Sequence, residues 1–120
     1  MIINFVTSNP GKVKEFRQIL EPELKVNHIK LSYPELRSDD PEEIAKMSAE
    51  MLANKLKKCV VVEDSGLFIR ALDDSPGTCS AYIHKRIGLN GILKLMEGQK
   101  DRQCTYKSAV AYCRPKKKSV

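Results

Sequence analysis

The sequence predicts an α/β fold of three layers, a mixed central sheet flanked by helices, formed by a single domain over residues 1–120. Three observations predict it. The apolar run Ile2-Ile3-Asn4-Phe5-Val6 is followed at once by a helix start at Asn9-Pro10, a second start follows at Asp40-Pro41, and Cys59-Val60-Val61-Val62 is continuously apolar and β-branched. A run of the last kind suits a strand covered on both faces by helices, and strands that alternate with helices build layered α/β domains.

Ile2 to Thr7 reads as a buried strand. Asn9 is a good N-cap, Pro10 fits the first helical position, and Val13, Phe16, Ile19 and Leu20 recur at helical spacing. Lys25 to Leu31 alternates as a second strand, and Ser32-Tyr33-Pro34 turns the chain away. At the next helix Asp40 is the N-cap, Pro41 the first residue and Glu43 the reciprocal partner of a capping box, with Ile44, Met47, Ala49, Met51, Leu52 and Leu56 following. The strand from Cys59 ends in Glu63-Asp64-Ser65-Gly66, where Ser-Gly allows a sharp turn. Two helices, Ser80 to Arg86 and Gly91 to Glu97, precede a strand from Gln103 to Cys113 and a basic turn over Arg114 to Lys118. The apolar and aromatic positions of that last strand, Tyr106, Ala109, Val110, Ala111 and Tyr112, suit a sheet interior.

Composition bounds the function. With 120 residues, 42% hydrophobic and 30% charged, the chain suits one soluble core. No stretch approaches the roughly 18 consecutive apolar residues of a membrane span, and the N-terminus runs directly into a strand, so a cytoplasmic protein without membrane contact is expected. The net charge is +6, but Arg114, Lys116, Lys117 and Lys118 supply four of those charges, which leaves +2 for the rest. A basic tail without interleaved aromatics does not make a nucleic-acid surface, and no nucleic-acid partner is expected. Cys59, Cys79, Cys104 and Cys113 form no Cys-x-x-Cys pair, and His28 and His84 lie far from them in sequence, so reduced thiols and no zinc are expected. His28 decorates a short strand and His84 a helix, and neither belongs to a nucleophilic triad.

Two places carry chemistry. The turn Thr7-Ser8-Asn9-Pro10-Gly11-Lys12 joins strand to helix with small side chains, backbone N–H groups and the positive end of a helix dipole beside a lysine, an arrangement suited to phosphates. It is not the P-loop pattern, whose first glycine would fall at Val6 and whose hydroxyl would fall at Val13. At Glu63-Asp64, two adjacent carboxylates stand at the carboxyl end of a central strand, where open α/β sheets hold their ligands. Mg²⁺ is held by one or two carboxylates plus the substrate's phosphate oxygens, so Asp64 and the phosphate turn are complementary halves of one site.

Taken together, Thr7-Ser8-Asn9-x-x-Lys12-x-x-Glu15, Pro34-Glu35, Glu63-Asp64-Ser65-Gly66-Leu67, Pro76-Gly77 with Ser80, and Ile87-Gly88 followed by Gly91-Ile92-Leu93-Lys94-Leu95 resemble the inosine triphosphate pyrophosphatase family, most closely its archaeal branch. The resemblance implies hydrolysis of deaminated purine nucleoside triphosphates (ITP, dITP, XTP) to the monophosphate and pyrophosphate by a Mg²⁺-dependent homodimer. It implies that Thr7 to Lys12 hold the triphosphate, that Glu35 and Asp64 hold Mg²⁺, that Asp64 accepts the proton of the attacking water, and that Ser65 contacts substrate. The family lysine on the second long helix aligns with Ser48, and Lys55, on the same helix face, is a candidate to replace it. The family's Gly-Tyr-Asp-Pro loop and Ser-His-Arg motif do not occur in this sequence. The resemblance therefore covers the N-terminal two thirds of the family fold, truncated at the C-terminus, with weakened discrimination between inosine and adenosine nucleotides and an unpaired edge on the last strand. A catalytically weak fragment acting through a partner, a basic nucleic-acid module and a Maf-type pyrophosphatase remain the alternatives. The Maf signature Ser-Pro-Arg-Arg is replaced here by Ser8-Asn9-Pro10-Gly11.

Overall fold

The computed structural model describes residues 1–120 as one mixed sheet with helices on both faces. In chain order the elements are β1 (Ile2–Val6), α1 (Pro10–Leu20), β2 (Lys25–Ile29), α2 (Pro41–Leu56), β3 (Val60–Ile69), a 3-10 turn (Arg70–Leu72), β4 (Ser75–Gly77), α3 (Ser80–Leu95) and β5 (Cys104–Cys113). β1 pairs in parallel with β2 and, through Phe5 opposite Val61, with β3. On its other side β3 pairs antiparallel with β5 over all ten residues, from Val60 opposite Cys113 to Ile69 opposite Cys104. The far end of β3 also pairs antiparallel with β4.

Side-chain alternation along these strands divides the core into two layers. Val6, Val60, Val62, Ala111 and Cys113 pack against Ala45, Ala49, Leu52 and Ala53 of α2. On the opposite face Phe5, Val26 and Val61 meet Val13 of α1, with Phe5 stacked on Phe16 at a centroid distance of 4.0 Å. Small residues on the inner face of α2 let the helix approach the sheet closely. Met47 and Met51, expected at core positions, lie outside on α2, as Ile19 does on α1. Helical spacing alone left the width of each buried stripe open, and Ala45, Ser48 and Ala53 take the inward positions instead.

Both helix caps form, with modifications. The Asn9 carboxamide oxygen accepts from the N–H groups of Gly11 and Lys12, at 2.9 and 3.4 Å. Asp40 accepts from the Glu42 N–H at 3.0 Å, but the expected reciprocal bond from Glu43 is relayed through Ser38. The Ser38 hydroxyl accepts from the Asp40 N–H and donates to Glu43. α3 is a pair of helices in sequence, broken at Gly88 with φ 68° and ψ −176°. No helix is long and apolar enough to cross a membrane.

Three expectations are corrected. β3 does not end at Glu63 but continues through Asp64, Ser65 and Gly66 to Ile69, because β5 supplies it with a partner along its whole length. Gly66 is thus a strand residue, and its role is close approach rather than turning: a Cβ there would lie 2.1 Å from the Gly77 carbonyl oxygen. On β5 only Ala111 and Cys113 are buried, whereas Tyr106, Val110 and Tyr112 lie on the exposed side of the pleat. The expected bare edge of β5 is bare only in part, since Tyr112 and Val120 exchange two backbone hydrogen bonds of 2.8 Å.

Gly66→Ala forces backbone atoms of β3 and β4 apart, so the expected loss of stability is about 1–3 kcal/mol, the scale of an overpacked core. The denaturation midpoint measures it, and an unchanged midpoint would show that β4 moves without cost.

Candidate active site

The catalytically suggestive residues converge where β1 runs out. Phe5 is opposite Val61, so β3 passes beyond the end of β1 just as it reaches Glu63 and Asp64. The parallel strands therefore still present their carboxyl ends to a ligand, even though β3 itself continues. Thr7, Ser8, Asn9 and Lys12 from the β1–α1 turn line the resulting cleft with Glu63, Asp64 and Ser65 of β3. Tyr33, Glu35 and Arg37 from the irregular segment before α2 and Tyr82, His84 and Leu89 of α3 also line it. Pro10 and Gly11 belong to the first turn of α1 and shape the rim without lining the cleft.

Successive residues of β3 point to opposite faces, which separates the two carboxylates. Glu63 turns to the α1 side, where its Oε1 lies 2.9 Å from Lys12 Nζ. Lys12 Nζ also donates to the Glu63 backbone oxygen at 3.4 Å, and the Ser108 hydroxyl donates to Glu63 Oε2 at 3.3 Å. Asp64 turns to the α2 side and is only 8% exposed, with Oδ2 lacking any hydrogen-bond partner. The Glu35 carboxylate lines the same cleft, near enough for its charge to act on Asp64. Burial foremost, then hydrogen bonding to Glu35 and the Glu35 charge, raise the Asp64 pKa from 3.8 to about 7; Lys12 opposes the shift and Glu63 adds to it. The convergence of Glu35 and Asp64 was expected from the family resemblance and not from any local pattern in the chain.

Two residues of the site escaped the sequence reading. Tyr33 is half-buried in the cleft, and burial together with the charges of Glu35, Asp64 and Glu63 pushes its phenol well above the ordinary range, so it stays protonated and a donor. Tyr106, across from Leu67 on β5, has its hydroxyl 3.0 Å from the Ser65 hydroxyl. Period-2 counting along an assumed β3–β5 pair would have found Tyr106, but that needs the register. Ser80 closes the structure behind the site by accepting from the Leu67 N–H at 2.7 Å and donating to the Gly77 carbonyl at 2.6 Å. His28 Nε2 lies 2.9 Å from the Thr7 carbonyl oxygen and fixes the start of the turn. Ser48 is buried in α2, and Lys55 is exposed near the end of that helix, outside the cleft lining.

One expectation about the phosphate turn changes. The N–H groups of Gly11 and Lys12 point into the Asn9 cap rather than into the cleft. The Asn9 N–H is in turn held by the Thr7 hydroxyl at 3.1 Å.

Known proteins resemble this chain in sequence and in fold. A dITP/XTP pyrophosphatase of Thermococcus kodakarensis is 48% identical over 93% of this chain and 61% of its own length. That of Methanopyrus kandleri is 48% identical over 96% of this chain and 62% of its own. The chain thus spans about three fifths of the length of these relatives. Among solved structures, the Staphylococcus aureus Ham1 protein superposes with a TM-score of 0.72 at 23% identity, covering 98% of this chain and 66% of the other. A nucleoside-triphosphatase, dITP/XTP pyrophosphatase of Mycobacterium abscessus gives 0.73 at 25% identity, covering 100% and 69%. The family model of the Ham1 family matches residues 3–120, and the chain belongs to that family.

Proposed function

We propose that this chain carries the phosphate- and metal-binding part of a Mg²⁺-dependent pyrophosphatase. Its substrates are deaminated purine nucleoside triphosphates, ITP, dITP and XTP, and its products are the nucleoside monophosphate and pyrophosphate. The observation that carries the reading is the approach of Glu35 to a buried Asp64 in the cleft rimmed by Thr7 to Lys12. The substrate class follows the dITP/XTP pyrophosphatases to which the chain is similar. The same similarity disfavours a Maf-type enzyme or a fragment that acts only through a partner.

The charges argue for a divalent cation. Lys12 and Arg37 face Glu35, Asp39, Glu63 and Asp64 in the cleft lining, a formal −2 that would repel a triphosphate by itself. No three His, Cys, Asp or Glu side chains cluster as a complete metal cage. A pair of carboxylates is what Mg²⁺ takes when phosphate oxygens and water fill its remaining positions, and the unpartnered Asp64 Oδ2 is a natural ligand atom. Held by Glu35 and Asp64, Mg²⁺ would polarise phosphoryl oxygens and cancel the charge of both acids.

The residues then divide the work. Asp64 accepts the proton of the water that attacks the α-phosphorus, and a carboxylate poised near neutrality is suited to that exchange. Lys12, still paired with Glu63, lies beside the departing pyrophosphate, and Thr7, Ser8 and Asn9 line the phosphate chain with Pro10 and Gly11 at the rim. Ser65, steadied by the Tyr106 hydroxyl, contacts the substrate. No covalent nucleophile is required. The reading includes a cytoplasmic homodimer, supported by the apolar side chains that β5 leaves exposed.

A nucleotide panel with pyrophosphate and orthophosphate read separately tests the function. Mg²⁺-dependent pyrophosphate release from ITP and XTP ahead of UTP and dTTP is expected; release of orthophosphate instead, or a pyrimidine preference, overturns it. Glu35→Gln should raise the Mg²⁺ concentration needed for half-maximal rate.

Asp64→Asn should lower kcat by at least ~10²-fold, the scale of lost general-base help. It should also stabilise the fold. Asp64 ionises near 3.8 in the unfolded chain and near 7 in the folded one, so between those values the folded state holds a proton that the unfolded state has released. Stability from this group therefore falls as pH rises through that window and stays low above it. The melting temperature of Asp64→Asn relative to the wild type should climb from about pH 4 to about pH 7 and then level off. A constant difference would mean that the Asp64 charge is not costly in the fold.

A further inference from the structure

We propose that Glu63 makes the site selective for metal-complexed triphosphate by holding Lys12 against any bare anion. The inference rests on the function proposed above and adds a role for a residue which that mechanism does not use.

Lys12 Nζ already has two acceptors in Glu63, the carboxylate oxygen at 2.9 Å and the backbone oxygen at 3.4 Å. The Glu63 side chain is 12% exposed and is tied at its other oxygen to Ser108, so it does not swing into water without breaking that bond. Outside the ion pair its Oε1 has no hydrogen-bond partner. Drawing Lys12 away would strand a largely buried carboxylate, which is strongly disfavoured. The helix N-terminus offers a bare anion little more, since its N–H groups at Gly11 and Lys12 are engaged by Asn9.

An approaching polyphosphate therefore meets a neutralised lysine, a capped helix and the Glu35–Asp64 pair. A polyphosphate that brings a divalent cation offers those two acids a partner, and its attraction does not require Lys12 to leave Glu63. Selectivity thus arises from a built-in competitor anion, a repulsive element directed against the wrong form of the ligand.

Calorimetric titration of inorganic tripolyphosphate, with Mg²⁺ and with EDTA, tests this without relying on turnover. Glu63→Gln should tighten metal-free binding by at least about tenfold, a modest share of what one close charge contributes in a partly buried site. Mg²⁺-bound tripolyphosphate should gain less, so the ratio between the two forms falls. In a Lys12→Ala background the same substitution should gain no more than about twofold, because Glu63 acts through Lys12. Ser108→Ala, on the exposed side of β5, frees the Glu63 carboxylate and should move the ratio in the same direction by a smaller factor, which keeps the test open if Glu63→Gln fails to fold. A wild-type chain that binds no Mg²⁺-tripolyphosphate overturns the proposed function and this inference with it. Normal wild-type binding with the ratio unmoved by Glu63→Gln and Ser108→Ala, or an equal gain without Lys12, overturns this inference alone.

Discussion

The ten-residue strand β3 has to satisfy three neighbours in turn, and the rest of the molecule follows from how it does so. Its first residues pair in parallel with β1, its last with β4, and its whole length antiparallel with β5. Because β1 stops while β3 and β5 continue, side chains in the middle of β3 keep a rigid backbone on one edge and gain open space on the other. Carboxylates held in that way are positioned by a sheet ladder rather than by a loop, which suits a site that must keep its geometry. Gly66 is the local condition for the arrangement, since only a residue without a Cβ lets β3 and the Gly77 carbonyl meet.

Alternation along the strand assigns each acid its environment. Glu63 falls on the α1 face and meets a cation; Asp64 falls on the α2 face and meets burial and another acid. Two adjacent residues of similar chemistry are thereby given opposite electrostatic surroundings, one beside a lysine and the other buried beside a second acid, where it retains its proton toward neutrality. The ladder keeps Asp64 in place although its charge is unfavourable there. Local instability of this kind is expected where a group must react rather than merely hold the fold together.

Much of this was legible in the chain itself. The Asn9 and Asp40 caps, the buried run at Val60 to Val62 and the break near Gly88 each rest on short-range chemistry, and each is present. The β1–α1 turn and the Glu63–Asp64 pair stood out because a strand-turn-helix with a lysine and a paired acid are local patterns too. What the chain concealed depends on pairing between distant segments. β3 runs past Glu63 because β5, some forty residues later, accepts it. The Tyr106–Ser65 and Ser108–Glu63 bonds exist only once that register is set. Met47 and Met51 misled for a related reason, since helix periodicity gives the spacing of a stripe and the neighbouring layer decides its orientation.

The outer layer on the α3 side follows different rules from the core. α3 has no buried residue, and Tyr82, Leu89 and Leu93 are all largely exposed, whereas α2 buries seven. The contrast follows from contact with the sheet: α2 lies across β3 and β5, while α3 touches the structure chiefly near β3 and β4, where Ser80 fastens its first turn. The lining residues Lys12, Glu63 and Asp64 therefore sit on elements packed into the core, while those of α3 sit on a helix with no buried residue. If the cleft takes a metal-bound nucleotide as proposed, the phosphate and metal ligands tolerate little displacement, while enclosing the rest of the nucleotide requires a wall that can adjust. The distribution of packing is in keeping with that division, with Glu63 and Asp64 anchored on the sheet and the apolar side chains that α3 adds to the lining largely exposed.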